Sequence, residues 1–294
     1  MDITNQIIIS VYGRTDMGRV RKNNEDSIAV ADVEYGFVID PPILDRYPVG
    51  EQGLLLAVSD GMGGANAGEV ASRLALNTLV DRMKEYERDA PPGAKERKFQ
   101  TVVEEINQLV WQQAQMRPEW AGMGATLTSV LLCNYGAIIA QVGDSRAYFI
   151  RGGQIKQVTK DQSWTGVMMA AGLLSEEEAT TSSYRNIILQ AIGSKEHVQV
   201  ALDYAEFRLG DYVLLCSDGL SNKVRPAEML AAIHAEEDLE SAVNYLVDLA
   251  NERGGEDNVS IILAQVGGDL PQFKPGETLT KTLQPIKGFD PFKH

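Results

Sequence analysis

Four aspartates stand where apolar runs stop: Val58-Ser59-Asp60-Gly61, Val142-Gly143-Asp144-Ser145, Cys216-Ser217-Asp218-Gly219 and Asp257-Asn258-Val259. Singly, each is a turn former at a strand end, because Asp-Gly is a favoured turn pair. Jointly they say more. Asp60 and Asp218 share the word Ser-Asp-Gly after an apolar strand, which places carboxylates at the ends of neighbouring buried strands, and buried carboxylates need cations. The chain has 3 histidines, His197, His234 and His294, and none lies beside these acids. An oxygen-only set of carboxylates, backbone carbonyl and water selects Mg²⁺ or Mn²⁺ over zinc. Two such ions sharing a carboxylate would hold a hydroxide between them and orient it for in-line attack on phosphorus. Arg21, a short step before Glu25 and Asp26, offers the planar fork that matches phosphate oxygens. By itself the charged run from Arg14 to Asp26 is a solvated loop.

The elements that must position these residues are legible around them. Leu54 to Val58 is apolar throughout and bounded by turn signals, which predicts a strand covered on both faces that delivers Asp60 to a site. Gly61, Gly63 and Gly64 then let the backbone turn and approach a ligand. Val70, Ala71, Leu74, Ala75 and Thr78 have helical spacing, as do Val102 to Ala114 and Leu239 to Ala250. Gln6 to Tyr12, Ser27 to Val30, Leu127 to Cys133, Ala137 to Val142, Ala147 to Ile150, Ile187 to Ala191, Val198 to Tyr204, Tyr212 to Cys216 and Val259 to Val266 read as strands. Residues 32–52 hold Pro41, Pro42 and Pro48 and predict a long hairpin loop; Lys84 to Lys98, with Pro91-Pro92-Gly93, predicts an exposed connection between helices. Residues 161–186 carry short helical hints and a capping box from Ser175 to Glu178, an inserted flap. Residues 267–294 have no period and predict a flexible tail. Strands in clusters with helices between them make this an α+β chain of two antiparallel sheets packed together and flanked by helices.

Composition narrows the partners. At 294 residues with 44% hydrophobic and 23% charged residues, the chain is ordinary for a soluble globular protein. Its 27 basic and 41 acidic residues leave a net charge of −14, which argues against nucleic acid or an anionic membrane as partner and suits cations. Cys133 and Cys216 lie inside apolar runs and read as reduced core residues of a cytoplasmic protein. The first residues lack a signal-peptide pattern and no apolar stretch reaches membrane-spanning length, so the expectation is a cytoplasmic protein, a monomer by default.

The words Arg21-Lys22-Asn23-Asn24-Glu25-Asp26, Asp60-Gly61-Met62-Gly63-Gly64, Gly143-Asp144-Ser145-Arg146, Ser217-Asp218-Gly219 and Asp257-Asn258-Val259-Ser260 occur in this order. The order resembles that of the metal-dependent protein serine/threonine phosphatases of the type 2C class, bacterial in style, over about residues 6–266. The resemblance implies a four-layer α-β-β-α sandwich over residues 1–266, with the flap at about 161–186. It implies two Mn²⁺ or Mg²⁺ ions per chain and hydrolysis of phosphoserine and phosphothreonine without a phosphoenzyme. Asp60 would bridge the ions, Gly61 would offer its carbonyl, and Asp218 and Asp257 would complete one ion. Glu25 and Asp26 would act on the metals directly or through water, Arg21 would bind phosphate, and Asp144 with Asp218 would form a third, weaker metal site. The partners implied are phosphoproteins made by a serine/threonine kinase. The chain departs from the class at Met62, where animal-type members have histidine, at Asp161-Gln162-Ser163, where the class has Asp-His-Ser, and at Ser183-Tyr184 before Arg185-Asn186.

Other phosphatase chemistries lack their residues. Neither Cys133 nor Cys216 is followed by arginine about six residues later, and no Gly-Lys-Ser/Thr follows the glycines after Asp60. Two rivals stand: a binding module that keeps the fold without turnover, which the intact Asp60 and Asp218 oppose, and an enzyme of small phosphoesters.

Overall fold

Alternation decides which way each strand faces. In β5 (Leu54–Met62) the side chains of Leu55 and Ala57 pack with one buried cluster, and those of Leu54, Leu56 and Val58 with another. A strand buried on both faces needs cover from two sides, which the rest of the chain supplies. The computed structural model describes residues 6–63, 67–84, 93–134, 136–185, 187–274, 277, 279 and 283–290.

In chain order the strands are β1 (Ile7–Asp16), β2 (Asp26–Asp32), β3 (Phe37–Val38), β4 (Ile43–Pro48), β5, β6 (Gly124–Ala125), β7 (Leu127–Cys133), β8 (Gly136–Val142), β9 (Arg146–Arg151), β10 (Gln154–Gln157), β11 (Ala201–Ala205), β12 (Tyr212–Cys216), β13 (Val259–Gly268) and β14 (Leu283–Lys287). The helices are α1 (Ala67–Met83), α2 (Ala94–Met116), α3 (Trp164–Ala170), α4 (Glu176–Thr181), α5 (Asp218–Ser221), α6 (Pro226–Ala235) and α7 (Leu239–Glu252). One antiparallel sheet runs β10-β9-β12-β13-β1-β4, the other β14-β11-β8-β7-β5-β2-β3, with β6 on the end of β5. Ile9, Leu56, Val130, Phe149 and Ile262 fill the space between the sheets. The helices α1 and α2 cover the second sheet through Leu79, Phe99 and Ile106, and α6 and α7 cover the first through Met229, Ile233 and Leu246. The result is the expected four-layer sandwich.

The structure corrects the sequence reading in several places. Residues 32–52 are not a free loop: β4 crosses to the first sheet and pairs with β1, Tyr12 opposite Ile43 and Ile8 opposite Pro48, because Leu44, Tyr47 and Val49 can be buried there. The helix α2 starts at Ala94, inside the expected connection, since Phe99 is fully buried; Pro91 and Pro92 lie outside the described residues. Residues 187–191 form no strand, only a bridge between Ser163 and Ile188. The flap holds α3 and α4, the second opened by the expected box: Ser175 Oγ accepts from Glu178 N at 3.2 Å and Glu178 Oε2 accepts from Ser175 N at 2.8 Å. The tail is corrected too. The final strand runs to Gly268, Glu277 pairs with Arg208 at 2.5 Å, Leu279 is buried, and β14 pairs with β11. Anchors spaced without a period were invisible to a search for one. Among the described residues Cys133 and Cys216 form no disulfide, and both are buried, as read. Among the described residues no helix is long and apolar enough to cross a membrane.

Candidate metal centre

The site is the continuation of two rows of core residues past the edge of the core. On β5 the inward row Leu54, Leu56, Val58 leads to Asp60; on β2 the inward row Val30, Ile28 leads to Asp26. Their register sets Asp26 directly opposite Asp60, so two carboxylates face each other at one end of the gap between the sheets. Like charges so placed repel. From the facing sheet come Ser217 after β12 and Ser260 on β13, joined by Ser260 N donating to Ser217 Oγ at 3.0 Å. Asp218 opens α5, with Ser217 as its N-cap.

Among the described residues Arg21 and Arg146 only partly offset this group of acids. Neither carboxylate oxygen of the buried Asp26 has a hydrogen-bond partner among the described residues, nor has Asp218 Oδ1. Ser217 and Ser260 stand near enough to favour ionised Asp26 somewhat, but burial dominates and, with Asp218 and Asp257, pushes its carboxyl up to about 7. Burial, then the charges of Asp26, Asp218, Asp144 and Asp257, hold Asp60 well above the usual carboxylate range. Asp144 is pushed up to about 8 by burial, then by Asp218 and Asp161, against the pull of Arg146. Asp218 is raised by burial and Asp257, and Glu25 by burial, against the pull of Arg21. A divalent cation removes this mutual penalty. The donor set is all oxygen, so the residues fit Mn²⁺ or Mg²⁺.

The backbone here tolerates little. A Cβ on Gly61 would run into the carbonyl oxygens of Gly68 and Glu25, so only glycine lets the start of α1 close on this turn. Gly61 N donates to Glu25 O at 3.1 Å and Ser72 Oγ to the same oxygen at 2.6 Å. Gly64 lies outside the described residues.

The structure brings Glu25, Asp26, Asp60, Gly61, Asp144, Asp218 and Asp257 to one end of the sandwich. Among the described residues no three acidic, histidine or cysteine side chains are already gathered about one ion position. Arg21 stands at the rim of these acids. Expected to meet phosphate, it donates from Nη2 to Asp257 Oδ2 at 2.8 Å.

Sequence reasoning missed the residues that hold the acids in place. Asn258 accepts from Glu25 N at 2.8 Å and donates to Met17 O at 2.8 Å and Asn23 O at 3.0 Å, fastening the Arg21 loop to the segment just before β13 that carries Asp257. An amide beside an acid before a strand was the available signal. Thr126 accepts from Asp60 N at 2.9 Å and donates its own N–H to Asp60 O at 2.8 Å. No sequence signal marks it. Gln162, in place of the class histidine, is fully buried; its Oε1 accepts from Gly143 N at 2.8 Å and its N–H reaches Gly143 O at 3.0 Å. It clamps the flap's start to the Asp144 turn. Beside it, Arg146 holds Asp161 with Nε at 3.0 Å from Oδ1 and Nη2 at 2.6 Å from Oδ2. Met62 is half-buried opposite Gly124.

A four-layer α-β-β-α sandwich with an acid-lined, oxygen-only site at the end of its sheets describes a class of metal-dependent hydrolase. Comparison with known proteins names it. The profile of the family described as Protein phosphatase 2C matches residues 45–262. The serine/threonine phosphatase stp of Listeria innocua is 33% identical over 252 residues, 86% of this chain and 94% of that protein. The serine/threonine protein phosphatase PstP of Mycobacterium tuberculosis is 35% identical over 284 residues, 97% of this chain but 49% of that protein, so the chain spans about half of PstP's length. The structure of the PstP catalytic domain in complex with 2 manganese ions matches with a TM-score of 0.71 and 32% identity, covering 89% of this chain and 99% of that one. The chain belongs to the protein phosphatase 2C family, of the serine/threonine phosphatase type.

Proposed function

We propose that this chain hydrolyses phosphoserine and phosphothreonine esters in proteins by direct attack of water, with two Mn²⁺ or Mg²⁺ ions held among Asp60, Asp26, Glu25, Asp218, Asp257 and the Gly61 carbonyl. The observation that carries this is Asp26: a buried carboxylate with no hydrogen bond to either oxygen among the described residues, opposite Asp60 and within the field of Asp218 and Asp257. Such ions, when bound, neutralise phosphoryl charge and make water nucleophilic near neutral pH.

The chain's own residues do the rest. Asp60 is central, within the field of Asp26, Asp218, Asp144 and Asp257, and is the residue suited to a bridge. Thr126 fixes its backbone on both sides, so its carboxylate enters the gap from a rigid strand end. Arg21 is exposed at the rim and exchanges Asp257 for the phosphate dianion, which frees that acid to ligate. Asp144 with Asp218 makes the third, weaker site. The two thiols do not compete as nucleophiles: Cys133 and Cys216 are fully buried, and burial pushes the Cys216 thiol up to about 12. Met62 has no proton to give a leaving alkoxide. The partners of this reading are phosphoproteins made by a serine/threonine kinase, met in the cytoplasm by a monomer.

The test is turnover of a phosphothreonine peptide by chelator-stripped protein with Mn²⁺, Mg²⁺, Ca²⁺ or Zn²⁺ added back, beside Asp218→Ala. Activity restored by Mn²⁺ or Mg²⁺ and lost in the variant is expected. No turnover with any metal, from protein that still binds Mn²⁺, would overturn the reading in favour of a binding module.

A further inference from the structure

The segment from Met17 to Lys22 carries Arg19, Arg21 and Lys22, all exposed, at the rim of the acid cluster of a chain whose net charge is −14. Two neighbours hold this segment still. Arg19 N and Val20 N both donate to Gly255 O, at 2.7 and 3.2 Å, and Asn258 Nδ2 holds Met17 O and Asn23 O at its two ends. The cations therefore ride on a fixed backbone beside Asp257. Of the three, Arg21 alone is spent on an acid, Asp257. Among the described residues Arg19 and Lys22 form no ion pair, whereas Arg146, Arg151, Arg208 and Arg253 each do. Unpaired cations on either side of Arg21, in a chain with acids in excess, are placed to meet negative charge from outside.

We propose that Arg19 and Lys22 recognise a second negative charge on the substrate, within about one to three residues of the phosphoresidue held at Arg21. The reach follows from chain geometry: neighbouring residues in an extended chain are about 3.5 Å apart, and Arg19 and Lys22 stand two and one positions from Arg21. The ligand is thus an acidic phosphopeptide, its second charge a carboxylate or another phosphate. This rests on the phosphatase reading above and names its substrate class. Exposed cations act modestly, roughly twofold to fivefold each, so about tenfold for the pair, and salt screens them.

The test uses the full chain with Mn²⁺ and three peptides: one phosphothreonine with neutral flanks, the same with glutamates two residues to either side, and the same with a second phosphothreonine. With 50 mM salt, kcat/KM is expected to rise about tenfold from the first to the charged peptides, through KM, and the difference to shrink at 0.5 M salt. The Arg19→Ala, Lys22→Ala double variant is expected to lose the preference while turning over the neutral peptide and p-nitrophenyl phosphate within twofold of wild type. A preference confined to the doubly phosphorylated peptide makes the second charge a phosphate; one shared by both makes it any acidic neighbour. Equal kcat/KM on all three peptides, or a preference that survives the double variant, would overturn the proposal and leave the phosphatase intact. Failure to hydrolyse even the neutral peptide would strike the phosphatase reading instead.

Discussion

Asp26→Asn separates the two roles of a buried metal acid, because it should stabilise the metal-stripped protein and destabilise the loaded one. Asp26 is buried, neither of its oxygens has a hydrogen bond among the described residues, and its carboxyl is held at about 7 against an ordinary 3.8. A rise of about three units is about 4 kcal/mol. The sign follows from linkage: an acid whose folded pKa is raised contributes stability below its unfolded value, and that contribution is lost as pH climbs through about 7. Asparagine never ionises, so above pH 7 the variant avoids the loss, less about 1–3 kcal/mol for an amide without partners. The net is a gain of about 1–3 kcal/mol, or roughly 2–10 °C in Tm for a chain of this size. Thermal melts after chelation would show it at pH 8 and show no gain at pH 4. Saturating Mn²⁺ should then raise wild type more than the variant, because a ligand binding only the folded state stabilises in proportion to its affinity. A stripped variant that melts below wild type at pH 8 would refute the claim that Asp26 is an uncompensated buried charge.

Three other perturbations probe separate parts. Asp60→Asn should cut turnover of a phosphothreonine peptide by at least ~10³, and activity within tenfold of wild type would remove Asp60 from the bridging role. Arg21→Ala should mainly raise KM, since it meets phosphate in ground and transition states alike; steady-state kinetics showing an unchanged KM would point to another phosphate partner. Arg151→Ala would strand Asp211, because Nε and Nη2 of Arg151 hold its carboxylate at 2.8 and 2.6 Å with both side chains 1% exposed. The expected loss is about 3–5 kcal/mol by denaturant unfolding, with kcat of the folded protein unchanged; a loss under about 1 kcal/mol would contradict the buried pair.

What the sequence made legible was whatever repeats or clusters locally. The apolar run before Asp60 announced a strand covered on both faces, and the helical spacing in α1, α2 and α7 needed no tertiary knowledge. The acids could be named because each interrupts an apolar run. Pairing was not legible. That β4 would cross to β1 depends on Leu44 and Tyr47 finding room between the sheets, a fact about partners distant in sequence. Thr126 and Gln162 serve through side-chain oxygens that accept from the backbone of Asp60 and Gly143, partners distant in sequence that no local pattern marks. Nor could the sequence show that Arg21 would lean on Asp257.

The docked C-terminal strand also settles how the larger sheet ends. An outermost strand is a template on which another chain can grow, and β11 would be that strand if β14 did not cover it. In its place the sheet shows β14, whose middle residue is Pro285, opposite Asp203. Proline has no N–H to offer, so β14 has one ladder donor fewer than a plain strand of its length. At the other margin β3 is 2 residues long, too short to seed pairing. The two outermost strands of this sheet, β14 and β3, are thus a short strand holding a proline and a strand of 2 residues, so neither offers another chain a long, unbroken ladder.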